Sequence, residues 1–173
     1  MTRPAASRDR APAIATPGIL LGTGLGGFLD GIVLHQILQW HQMLSTTQRW
    51  GETTVENMQV NMVADGLFHL VTWAFVAVGV ALLWRATREG AGQRNWRSLF
   101  GWILFGWGVF NVVEGVINHH LLEIHRVHPE AANPLVWDVG FLAFGVVLLV
   151  AGWLIQRRDP GRAGASAGRA ALG

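Results

Sequence analysis

Apolar residues run along this chain in four long stretches, at about 18–44, 61–84, 98–122 and 135–156, and charged residues collect between them. Each stretch exceeds the roughly 20 residues that a helix needs to cross a hydrocarbon core about 30 Å thick. The pattern predicts an all-α fold: an integral membrane four-helix up-down bundle over residues 18–156, flanked by disordered tails at 1–17 and 157–173. The first stretch carries Asp30 and has no small-x-small site after it, so it reads as a span rather than a cleaved leader.

Composition narrows the chemistry. The 173 residues are 51% hydrophobic and 14% charged, well below the roughly 25% charged of a soluble domain. With no Cys, disulfides, thiolate metal sites, iron–sulfur clusters and Cys nucleophiles are excluded; with no Lys, so is Schiff-base chemistry on the protein. All 13 basic residues are Arg, and the pI of about 10.9 makes their placement informative. Arg3, Arg8, Arg10, Arg85, Arg88, Arg94, Arg97, Arg157, Arg158, Arg162 and Arg169 fall on one side of a four-span chain, leaving Arg49 and Arg126 on the other. The positive-inside rule then puts both termini in the cytoplasm, and the Arg residues serve topology and anionic lipid rather than nucleic acid. Trp40, Trp50 and Trp137 mark the outer interface and Trp84, Trp96, Trp102 and Trp153 the inner one, while mid-span Trp73 and Trp107 read as packing residues.

The first and third stretches align at an offset of 84. From 22–41 against 106–125, six of twenty positions are identical, where about one or two are expected by chance. The shared pattern is acid-Gly-x-x-x-His-x-x-x-x-x-His, beginning at Asp30 and at Glu114. The second and fourth stretches match more weakly at an offset of 73, with Asp65 on Asp138 and Phe68 on Phe141. The reading is a duplicated hairpin, two plus two, with a site at the repeat interface. Gly22, Gly26, Gly27 and Gly31 read as close helix packing, not as a phosphate loop.

One acid lies within each span: Asp30, Asp65, Glu114 and Asp138. Ionisable groups at such depth are costly and mark function or pairing. A rise of ~1.5 Å per residue puts His35, His69 and Glu114 roughly 10–13 Å below the outer surface, and Asp65, Asp138 and His119 about 3–8 Å below it. Asp30 lies near the midplane, and His41, His120, His125 and His128 fall at the outer rim or in a loop. Asp65 and His69, four apart, share a helix face. Asp30 and His35, five apart, diverge by about 140° on an ideal helix unless a π-bulge beside Gly31 rejoins them.

Imidazole with carboxylate suits a transition metal such as zinc, iron or copper. The candidate ligands are His35, His69, Glu114 and His119, with Asp30, Asp65 and Asp138 as partners or further ligands. No His-Glu-x-x-His or ferritin-like Glu-x-x-His spacing is present, so neither of those metal motifs applies. Two other readings stay open: a small proton-coupled transporter or proton pathway, and haem b held between His35 and His119. Whether the protein is an enzyme, and its partners beyond the lipid bilayer, including a homo-oligomer, are undecided at this level.

The segment Gly27-Phe-Leu-Asp-Gly-Ile-Val-Leu-His-Gln-Ile-Leu-Gln-Trp-His41, with Asp-Gly-x-x-His at 65–69 and Glu-Gly-x-x-x-His at 114–119, resembles an uncharacterised family of bacterial four-span membrane proteins. The resemblance covers about residues 18–156. It implies a membrane location and a bacterial source, and no reaction. That family's first motif often ends in a His pair; here Gln42 takes the second place, which weakens a ligand role at the rim.

Overall fold

The computed structural model describes residues 14–88 and 96–157; the tails expected before and after the spans lie almost wholly outside the described residues. All regular structure among the described residues is helical. Helix α1 (Ala15–Leu29) runs directly into a π-helical segment, Asp30–Ile37. Helix α2 spans Val55–Arg88. Helix α3 (Trp96–Glu114) likewise passes into a π-helical segment, Gly115–Leu121, and α4 spans Pro134–Arg157. Taken with their π extensions, these make four apolar rods of 23, 34, 26 and 24 residues, each long enough to cross a bilayer. The first rod stops at Ile37, short of the expected 44, and the second begins at Val55 rather than 61.

Helices α1 and α3 form the central pair; α2 packs on α1, and α4 packs on α3. The central contact is made by glycine. A Cβ on Gly22 would fall on the carbonyl of Ile103, and one on Gly106 would fall on the carbonyl of Ile19, so only glycine permits this approach. Thr23 adds a hydrogen bond from its Oγ1 to the Gly106 carbonyl, 3.2 Å. Small residues are how helices associate in lipid, where burying one apolar surface against another gains little over contact with lipid tails.

The outer faces of α2 and α4 present apolar side chains, among them Met62, Val63, Val146 and Val147, to the hydrocarbon. Trp73 belongs to that face. It is 59% exposed and not a packing residue, because its side of α2 points away from α1. Trp107 does pack, over Gly26 and edge-on to Phe144.

The glycine crossing makes a direct prediction. Gly106→Ala should lower the unfolding midpoint in detergent by the equivalent of roughly 1–3 kcal/mol, the usual cost of overpacking. Gly66→Ala, where an added Cβ meets nothing within 4 Å, should stabilise by about 0.5–1 kcal/mol through helix propensity. Equal thermal melts of the two variants by circular dichroism would show that the helices do not meet at Gly106.

Candidate functional site

The two π segments shape the outer end of the bundle. A π turn carries hydrogen bonds to the fifth residue back, which brings positions five apart onto one face. His35 Nε2 then lies 3.3 Å from Asp30 Oδ2, and His119 Nε2 lies 3.1 Å from Glu114 Oε1. The segments end alike. Leu38 N–H donates to Val33 O and Leu122 N–H to Ile117 O, both at 2.8 Å. Gln39 and Glu123 follow in left-handed conformation, with φ of 52° and 49°, a geometry costing a non-glycine residue roughly 1–2 kcal/mol. Trp40 N–H then bonds Leu34 O at 3.0 Å and Ile124 N–H bonds Asn118 O at 3.1 Å. These corners turn the chain back over the helix ends and send His41 and His125 inward.

Four imidazoles meet there. His41 and His125 stack with ring centres 4.8 Å apart and planes 7° from parallel. His35 contacts both, at 4.5 and 5.8 Å, and His119 contacts both, at 6.3 and 5.0 Å. Donor atoms of His35, His41 and His125 lie within 4.8 Å of one another, as do those of Glu114, His119 and His125. The loops hold the inner pair crosswise. His41 Nδ1 donates to Val127 O at 2.8 Å, and His125 Nδ1 donates to Met43 O at 3.1 Å. Each of these bonds places the N–H on Nδ1 and turns Nε2 into the cluster. His41 Nε2 is buried without a partner, and His125 Nε2 lies 2.7 Å from Glu114 Oε1. Burial, together with the neighbouring His125 and His35, pushes the His41 imidazole down to about 2, so this ring stays neutral and keeps a lone pair for a ligand.

Asp65 and Asp138 hold the returning loops. Asp65 accepts from Met43 N–H at 2.9 Å, Gln36 Nε2 at 3.0 Å and His35 Nδ1 at 3.1 Å. Asp138 accepts from Val127 N–H and Arg126 Nη1, both at 3.0 Å, and lies 3.7 Å from His119 Nδ1. The Met43 amide on Asp65 has its counterpart in the Val127 amide on Asp138, at offsets of 84 for the amides and 73 for the acids. Asn61 reinforces the first loop by accepting from Leu44 N–H and donating to Trp50 O. Trp40 stacks on His128 and meets Trp137 edge-on at the outer end of the bundle.

Of the residues singled out from sequence, Asp30, His35, Asp65, Glu114, His119 and Asp138 come together. His69 stands apart: its Nδ1 donates to the carbonyl of Asp65 in its own helix, and its ring faces Phe28 and Phe68. His41 and His125, expected at the outer rim or in a loop, do lie in the loops after the helices, but they are 2% and 0% exposed, because left-handed corners turn those loops inward. The signal for both lay in the shared acid-Gly-x-x-x-His-x-x-x-x-x-His sequence pattern, whose second His they are. Gln42 in place of a second His leaves His41 in the cluster.

Asp65→Ala should unfasten the first loop and cost roughly 3–5 kcal/mol, as expected for a buried charge network stripped of one member. Asp65→Asn, which keeps one acceptor, should cost less. Hydrogen exchange of the Met43 and Leu44 amides checks this. Unchanged protection in the Ala variant would show that the carboxylate does not hold the loop.

Residues 17–159 match the family described as predicted membrane protein (DUF2243). No curated protein and no solved structure matches the chain. The family match takes in all four apolar rods and both His-bearing loops, and the chain belongs to this family of predicted membrane proteins.

Proposed function

We propose that this membrane protein binds a transition-metal ion among His35, His41, His119 and His125, with the carboxylates of Asp30 and Glu114 beside it. One observation carries the reading. His35, His119 and His125 each have an oxygen within 3.7 Å of both ring nitrogens (Asp65 and Asp30, Asp138 and Glu114, and Met43 O and Glu114), yet His35 Nε2 and both nitrogens of His119 are buried without a hydrogen-bond partner. A neutral imidazole has one N–H and can satisfy only one of them. Three adjacent imidazolium ions in a buried site repel one another and carry a heavy desolvation cost. A metal ion on the Nε2 side removes the conflict. Each ring then donates from Nδ1 to an oxygen and binds metal through Nε2, the common arrangement in which an outer acceptor orients a ligating His. Nitrogen and oxygen donors without sulfur suit zinc, copper(II) or iron. Haem is less well supported, because His41 and His125 stack in the place a macrocycle between His35 and His119 would need.

The crosswise hydrogen bonds at matched offsets support two further parts of the reading. The chain is an internal duplication of one hairpin, and the site lies on the pseudo-twofold axis between His41 and His125. The Arg side chains Arg85, Arg88, Arg97 and Arg157 at one end of the helices support cytoplasmic termini, with the His cluster on the exoplasmic side of a bacterial inner membrane.

Detergent-purified protein should carry a metal near one equivalent per chain by elemental analysis. His41→Ala and His125→Ala should lose most of it, while His69→Ala should retain it. Stoichiometric metal surviving both cluster variants, or a metal-free wild type that takes up no zinc, copper or iron on dialysis, would sink the proposal. A Soret band in the absorption spectrum would replace the ion with haem.

A further inference from the structure

The two hairpins, α1 with α2 and α3 with α4, meet through α1 and α3 and, at the outer end, through their returning loops. The helix crossing is fixed in the inner half, where Gly22 and Gly106 each lie against the opposite backbone. Apolar helix faces gain little in lipid by meeting one another. The outer ends therefore depend on what joins the loops.

Each loop is tied to its own hairpin by a buried carboxylate. Asp65 takes the Met43 amide, and Asp138 takes the Val127 amide together with Arg126. The seam between the loops has no such fastening. Among the described residues four hydrogen bonds cross it: His41 Nδ1 to Val127 O, His125 Nδ1 to Met43 O, and Thr46 N–H and Oγ1–H to the carbonyls of Ile124 and Glu123. All four are bonds to neutral carbonyls, weaker than the charge-assisted bonds within each hairpin. The ring contacts of His41 with His125 and His119, and of His35 with His125, cross the same seam. Four nitrogens of these rings, His35 Nε2, His41 Nε2 and both of His119, are buried without a partner. Holding them away from water unpaired is costly, and parting the seam would hydrate them.

His35 and His41 belong to one hairpin and His119 and His125 to the other, so an ion bound to all four ties the hairpins to each other. The four rings are 0–2% exposed, so an ion with its water shell cannot reach them while the seam is shut. We infer that the ion clasps the outer ends of the two hairpins, and that it enters and leaves by their parting along this seam while the inner crossing holds. The inference rests on the metal reading and adds what the ion does to the fold.

The test uses the full chain in lipid nanodiscs, with zinc as the probe. The chain has no Cys, so spin labels can be placed by substitution alone. Val55→Cys with Val136→Cys puts one label on each hairpin at exposed outer positions, and Val80→Cys with Val150→Cys does the same toward the inner end. Pulsed dipolar spectroscopy on the zinc-loaded protein should give one distance for each pair. Stripping the zinc with a chelator should add a longer distance at the outer pair and leave the inner pair unchanged, and restoring zinc should reverse the change. Thr46→Val removes one bond across the seam and no ligand. It should speed zinc uptake and release roughly two- to tenfold, the worth of one hydrogen bond. An outer distance unmoved in samples that elemental analysis shows to have held and then lost zinc would overturn the inference and leave the metal reading standing. Equal lengthening at both pairs would overturn it too, since the whole chain would then be loosening. Equal zinc kinetics in Thr46→Val and the unsubstituted chain would overturn the seam as the route. Protein that takes up no zinc would overturn the inference outright, whatever copper or iron then shows for the site.

Discussion

An imidazole ring can give away one proton and still accept at its other nitrogen, and the outer end of this protein is built around that limit. Four such rings form one contiguous cluster, and oxygen atoms lie within 3.7 Å of both nitrogens of three of them. In water the surplus acceptors would be solvated. Here the rings are almost fully buried, so the imbalance has to be met from within the cluster. The glycine crossing of α1 and α3 matters for the same reason. It brings the two π segments close enough for rings from both halves to stack, and a wider crossing would separate His41 from His125.

The backbone serves this arrangement at a local cost. Two π-helical segments, two non-glycine residues at positive φ and two wide-looped hydrogen bonds stand at equivalent places. None is favourable alone. Strain of this kind persists where surrounding contacts fix it, and it concentrates at functional positions. Asp65 and Asp138 provide those contacts, since each collects the amide of a returning loop and the ring of a helix-borne His.

Much of this was legible in the residues. Four spans follow from apolar run length, and the structure gives four helices long and apolar enough to cross a membrane. The pairing of Asp30 with His35 depended on whether the helix widened at Gly31, and the spacing alone left that open. The structure widens it, and Glu114 and His119 follow suit. Reach was harder to read. Rise per residue placed His41 and His125 at the outer rim or in a loop, and their burial went unread because nothing in Gln39 or Glu123 advertises a left-handed corner; both are ordinary residues where glycine would have been the usual sign. His69 erred the other way. Its i,i+4 relation to Asp65 is real, but the helix satisfies it through the backbone carbonyl rather than the carboxylate. The second loop's grip on the first could not be seen at all, because it joins residues 86 and 82 apart by way of backbone oxygens, which carry no side-chain signature.

That mutual grip bears on how the molecule comes into being. The ring of His41 is oriented by the carbonyl of Val127, and the ring of His125 by the carbonyl of Met43. The leading hairpin, delivered into the bilayer during synthesis, therefore waits with its inner histidine unoriented until the trailing hairpin arrives. The two inner rings are therefore fixed only once both hairpins are in place, so the cluster is completed by the last helix and not by the first.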